Sequence, residues 1–98
     1  MVIGVMTIRV YAPWVHSLKE KRREVKSIIA KTGNKFNVSI TEVDNQDIHQ
    51  TIAIGIAGIA ANTSQADSII DNVITFIESN TEGEIIDIKR EIIFLNVL

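Results

Sequence analysis

Val2-Ile3-Gly4-Val5-Met6-Thr7-Ile8-Arg9-Val10-Tyr11-Ala12-Pro13-Trp14-Val15-His16-Ser17-Leu18-Lys19-Glu20 decides the fold, because the period of its apolar residues changes partway along it. From Val2 to Ala12, Val2, Met6, Ile8 and Val10 alternate with Thr7, Arg9 and Tyr11. That is the two-residue repeat of a strand with one face buried. Pro13 ends it, since proline cannot donate to a ladder. Ser17 is then a helix cap, and Glu20, three residues on, completes a Ser-x-x-Glu capping box. Beyond it Leu18, Val25, Ile28, Ile29 and Thr32 fall on one helical face, and Gly33 is a natural stop.

Working outward, Phe36 to Glu42 alternates again, with Phe36, Val38 and Ile40 against Asn37, Ser39 and Thr41. Asp44-Asn45-Gln46-Asp47 has turn chemistry. Gln50 to Ala60 forms a third strand with Ile52, Ile54 and Ile56 on one face, so the two strands read as a hairpin. Gly55 and Gly58 mark a close approach or a bulge in it. Asn62-Thr63-Ser64 opens a second helix, with Asp67 near its positive end. Ala66, Ile69, Ile70, Val73 and Ile77 are its buried stripe, and Asn80 to Gly83 stop it. Glu84 to Val97 is the last strand. The order β-α-β-β-α-β predicts an α+β, ferredoxin-like sandwich: a four-stranded antiparallel sheet with two helices on one face.

The chain has 98 residues, enough for a single domain over 1–98. A chain of this size buries only about two-thirds of its unfolded surface, so it needs tight packing or a partner subunit. Apolar residues make up 46% and aromatics only 5%, with isoleucine dominant, which suits a sheet-rich core. There is no cysteine. Disulfides, thiolate nucleophiles, iron–sulfur clusters and thiolate zinc sites are therefore excluded. No cationic start followed by an apolar segment opens the chain, and Thr51 to Ala61 is too short to cross a bilayer. The expectation is a soluble cytoplasmic protein.

The sheet face away from the helices has nothing in the chain to cover it. Ile3, Val5, Tyr11, Ala53, Ala57, Ile59, Ile93 and Leu95 all point there on the alternation, and Phe94 and Leu95 belong to an apolar tail running to Leu98. This exceeds what a small monomer usually exposes. It predicts a homo-oligomer contact through Ile3, Val5, Tyr11, Ile93, Phe94 and Leu95.

The net charge of −2 hides a polarity. Residues 16–35 hold seven Lys and Arg against two Glu, whereas residues 67–91 hold seven acids against two bases. Lys19, Lys21, Arg22, Arg23 and Lys26 crowd the first turns of the first helix, and Lys19, Arg22, Arg23 and Lys26 read as one stripe beside its apolar face. Cations at this spacing repel one another. A stripe of them can hold phosphates, arginine with bidentate geometry. The bland alternative is a solvated helix face, and the sequence pI of 5.6 is far below that of a dedicated nucleic-acid binder.

Other chemistry is thin. Glu42, Asp44, Asn45 and Asp47 contain hard ligands for a cation but lack the EF-hand pattern, and turn formation explains them. His16 beside Ser17 is a nucleophile–base pair on paper, but adjacent residues rarely reach that geometry and Ser17 is already a cap. His49 reads as a structural or surface histidine. Trp14 reads as a residue packing over the helix start rather than one stacking a base. No P-loop, dinucleotide fingerprint, zincin pair or nucleophile elbow is present. Strand Thr51-Ile52-Ala53-Ile54-Gly55-Ile56-Ala57 has no aromatic, which argues against base stacking on the sheet in the manner of an RRM.

Three segments together resemble the YlxP-like family of small bacterial proteins, a domain-of-unknown-function family. They are His16-Ser17-Leu18-Lys19-Glu20-Lys21-Arg22, Phe36-Asn37-Val38-Ser39 through Glu42-Val43-Asp44-Asn45-Gln46-Asp47, and Ile54-Gly55-Ile56-Ala57. The resemblance runs from Val2 to about Ile93. It departs at Ile48-His49, where the family pattern has Leu-Trp. It implies a ferredoxin-like fold and, because members are often encoded beside translation-initiation and ribosome-binding factors, work near ribosome assembly. It supplies no catalytic residues.

Three function classes stay open from the residues. The first is a non-enzymatic module binding RNA or a ribosomal subunit through the five cations, with no catalytic residue, metal or cofactor. The second is an oligomeric protein-interaction module using the bare sheet face and tail. The third is a metal-dependent hydrolase using Asp44, Asp47 and His49.

Overall fold

The alternating first segment forms β1 (Val2–Tyr11), and both of its edges are used. β3 (Thr51–Ala60) pairs antiparallel on one side, from Val2 opposite Ala60 to Tyr11 opposite Thr51. β4 (Glu84–Phe94) pairs antiparallel on the other, from Val2 opposite Phe94 to Tyr11 opposite Glu84. The short β2 (Ser39–Glu42) adds to the far edge of β3, so the sheet order is β2-β3-β1-β4. The helices are α1 (Leu18–Lys35) and α2 (Thr63–Asn80). This computed structural model describes residues 1–44 and 50–96. It has the expected β-α-β-β-α-β order and the ferredoxin-like architecture.

The core lies between the sheet and the helices. Met6, Ile8 and Val10 of β1 and Ile52, Ile54 and Ile56 of β3 meet Val25 and Ile28 of α1 and Ile70, Val73 and Ile77 of α2, all buried. Stiff β-branched side chains fill the sheet side of this layer with little rotamer freedom to lose. Trp14 is half-buried and packs against the same core. At Gly4 a Cβ would lie 2.9 Å from Ile70 Cδ1, so α2 packs closely on β1 and an added methyl would have to push the end of that side chain aside.

Both helix starts follow the capping expectations. The Ser17 hydroxyl accepts from the Glu20 backbone N–H at 3.1 Å and lies 3.3 Å from Glu20 Oε1. Asn62 Oδ1 accepts from the Gln65 N–H at 2.9 Å, and Gln65 Oε1 accepts from the Ala61 N–H at 2.8 Å. These contacts satisfy donors that a helix start leaves open.

Several boundaries differ from those read in the sequence, each for a local reason. Gly33 does not stop α1. A glycine ends a helix by turning left-handed, and no glycine here has a positive φ. The helix runs to Lys35, where the Phe36 N–H closes onto Thr32 O at 3.0 Å. Phe36 is thus the C-cap, not a strand residue, and its ring packs edge-on against Phe76 of α2, centroids 5.4 Å apart. Gly55 and Gly58 mark a close approach, a Cβ falling 2.6 Å from Val43 Cγ1 and 3.3 Å from Val38 Cγ1 respectively, while the register slip lies in β4, opposite the step from Arg9 to Val10, and leaves Ile86 as the extra residue. Gly55 itself lies beneath the Val43 side chain. β4 stops at Phe94, and Leu95 N–H donates to Met1 O at 3.0 Å. Val97 and Leu98, placed in the last strand by the sequence reading, lie outside the described residues, as do Asn45, Gln46, Asp47, Ile48 and His49.

Two glycines make opposite predictions. A Cβ on Gly83 would fall 2.5 Å from Val10 Cγ1 and 2.8 Å from the Tyr11 backbone oxygen, which cannot swing away. On Gly55 the clash is with one methyl of the half-exposed Val43. In urea denaturation, Gly83→Ala should lose about 1–3 kcal/mol and Gly55→Ala clearly less.

Candidate polyanion-binding site

The buried stripe of α1 is Lys21, Val25, Ile28 and Thr32, spaced i, i+4, i+7, i+11. A lysine therefore occupies the place expected for an aliphatic residue. Leu18, assigned to this stripe from the sequence, is 47% exposed, while Lys21 is 0% exposed. The compensation comes from β2. Strand alternation that points Ile40 at the helices also points Glu42 there. The Lys21 Nζ lies 4.0 Å from Glu42 Oε2. The two Arg22 terminal nitrogens take the same carboxylate in a fork, at 2.5 and 2.7 Å. The Glu42 side chain is only 9% exposed, so a buried carboxylate is matched by two cations. A buried charge is tolerated only when so matched.

Those hydrogen bonds, partly offset by burial, raise the Arg22 guanidinium above its already high ordinary value. A cation whose ionisation is raised on folding keeps that stabilisation at every pH below its unfolded value. For an arginine that window includes neutral pH. Arg22 Nε is buried with no hydrogen-bond partner among the described residues.

Two of the five candidate phosphate ligands, Lys21 and Arg22, are thus committed to Glu42. The other three are displayed. Lys19, Arg23 and Lys26 repeat the spacing of Lys21, Val25 and Ile28 two residues earlier, and two residues turn a helix by about 200°. They form a ridge diametrically opposite the buried stripe rather than a stripe beside the apolar face, and all three are exposed; Arg22 is not part of it. Among the described residues none of them forms an ion pair. The acidic segment is also partly spent. Arg90 of β4 binds Asp71 at 2.7 Å and Asp67 at 3.2 Å, tying the edge strand to α2. The Asp71 hydrogen bond, against some desolvation, raises the Arg90 guanidinium above its ordinary value. Glu24 accepts from Thr81 Oγ1 at 3.1 Å, joining α1 to the end of α2.

The six residues assigned to an oligomer contact do not share one surface. Ile3, Val5, Tyr11 and Ile93 lie on the open face, as the register of β1 with β4 requires. Phe94 pairs with Val2 and so lies on the helix side, 68% exposed. One residue along a strand changes the face. Leu95 follows β4 and is partly exposed. The open face is also less bare than expected. Val43 lies over Gly55, and Arg9 pairs with Asp44 at 2.6 Å. A shallow groove of about 440 Å³ crosses it, lined by Val5, Thr7, Thr41, Ala57, Lys89 and Glu91 among others.

Ser17 is engaged as a helix cap and His16 is exposed beside it. Among the described residues no group of three His, Cys, Asp or Glu side chains is placed to hold a metal ion. Asp47 and His49 of the hydrolase reading lie outside the described residues. No helix among the described residues is long and apolar enough to cross a membrane.

Comparison with known proteins gives a family and a fold. Residues 3–90 match the family described as "Protein of unknown function (DUF503)". The chain belongs to that family. It is 43% identical, over 68 residues, to the uncharacterised protein YlxP of Bacillus subtilis (strain 168), covering 69% of this chain and 74% of that one. Among solved structures it resembles a de novo designed protein with ferredoxin fold, LFR1 1, with a TM-score of 0.55 and 19% identity, covering 94% of this chain and 84% of that one. The designed protein Foldit4 superposes with a TM-score of 0.51 and 13% identity, covering 97% and 98% of the two chains. These two likenesses concern the fold alone.

Glu42→Gln removes the charge that balances a buried lysine and a forked arginine. It should lower stability by about 3 kcal/mol, read as a shift of the urea midpoint at unchanged slope. Adding Lys21→Met to it should recover a large part of that loss, because the buried cation is gone.

Proposed function

We propose that this chain is a non-enzymatic binding module that meets a polyanion, RNA or a ribosomal subunit, through the outward ridge Lys19, Arg23 and Lys26. The observation that carries the reading is the split within the cation cluster. Lys21 and Arg22 face Glu42, while the other three cations are exposed on the opposite side of α1 and form no ion pair among the described residues. Phosphate contacts of this kind position a protein on nucleic acid without reading its sequence. The absence of aromatics along β3 fits a ligand held by its backbone rather than by stacked bases. The gene neighbourhood implied by the YlxP-like resemblance supports this reading and, with it, work in the cytoplasm.

Three contacts make a modest site with a defined salt signature. Binding of labelled single-stranded RNA and of small ribosomal subunits should weaken with salt at a log–log slope of about −2, the value for three phosphates on a single strand. The variant Lys19→Glu/Arg23→Glu/Lys26→Glu should abolish binding with its thermal midpoint nearly unchanged, since none of the three is buried. Wild-type levels of binding in that variant, or no binding by the wild type at low salt, would contradict the proposal.

A further inference from the structure

We propose that the outer edge of β4 pairs antiparallel with β4 of a second copy of this chain, centred on Arg90, to give one continuous eight-stranded sheet. β4 is an edge strand of 11 residues, against four for β2 at the other edge. Long unprotected edges invite pairing. Its irregularity, at Ile86, lies near one end and leaves residues 87–94 in regular register with β1. The direction of the backbone groups follows from one bond. Leu95 N–H donates to Met1 O, so odd-numbered residues of β4 bond inward to β1. Ile88, Arg90, Ile92 and Phe94 then offer their N–H and C=O groups outward.

The side chains select the register. Centring the pair on Arg90 sets Lys89 opposite Glu91 of the second copy, twice by symmetry. It also sets Ile88 opposite Ile92 and brings Ile86 against Phe94 at the ends. Ile86, Ile88 and Phe94 are all exposed apolar residues in the single chain. Centring on Lys89 or on Glu91 would place like charges face to face. Centring on Ile88 sets Ile86 against Arg90 and Ile85 against Glu91. Centring on Ile88 also pairs Asp87 with Lys89 and Ile88 with itself, but it leaves Arg90 and Glu91 opposite isoleucines, so the Arg90 register, whose one mismatch of this kind is Asp87 opposite Ile93, is the better matched. The like charges at its centre are quenched, because each Arg90 is already held by Asp67 and Asp71 of its own α2. This is an isologous interface. Its two-fold axis runs perpendicular to the sheet, so all four helices stand on one side, the two Lys19–Arg23–Lys26 ridges among them.

The test is sedimentation equilibrium on the full chain, with circular dichroism to check folding. Lys89 and Glu91 are exposed, so changing them leaves the core intact. The wild type should dimerise. Lys89→Glu alone and Glu91→Lys alone should each weaken the dimer by about tenfold, since two attractive pairs become repulsive. The swap Lys89→Glu/Glu91→Lys should restore it. A wild type still monomeric at about 1 mM would overturn the proposal, because a specific interface that weak has no standing. A dimer indifferent to the single changes, or a folded swap that fails to recover, would overturn it equally.

Discussion

Glu42 sets the terms for the rest of the molecule. A carboxylate at the end of β2 must face the helices, because it shares the parity of Ile40 and pairs with the buried Ile54. Burial there requires cations, and α1 supplies Lys21 from its buried stripe and Arg22 from its flank. The pairing fixes the rotation of α1 about its axis. That rotation in turn decides which of the crowded cations are structural and which are displayed. The stability of the sandwich and the character of its surface thus have one origin.

Much of the fold was legible in the sequence. The change from a two-residue to a helical period at Pro13, the Ser17 box and the Asn62 cap all appear where physics puts them, and the strand alternations give the sheet its faces. What escaped was local competition. Gly33 looked like a stop, but nothing obliged it to turn left-handed. Phe36 fitted the strand pattern and was claimed instead by the end of α1 and by Phe76. The bulge fell at Ile86, in a run of apolar residues that carries no glycine to announce it.

The site was half legible. The sequence gathered five cations without ranking them. Two signals would have separated them. Glu42 continues the buried parity of Phe36, Val38 and Ile40, so it needed a partner. Lys21 stands four and seven residues before Val25 and Ile28, so it belongs to the buried stripe, whereas Leu18 lies a turn too early to be covered. Ile93 and Phe94, both read as contact residues, lie on opposite faces of the sheet, because neighbours on a strand look opposite ways. The likeness to designed ferredoxin-fold proteins underlines how far architecture alone leaves function open.

The division of the cations is most directly tested by following backbone amides and the arginine side-chain Nε–Hε signals by NMR while a short single-stranded RNA is added at low salt. The account predicts shifts concentrated on the exposed ridge of Lys19, Arg23 and Lys26, with the Arg22 side chain and the Glu42 amide unmoved. Shifts led by Arg22, or gathered on the open face of β1 and β3, would contradict it.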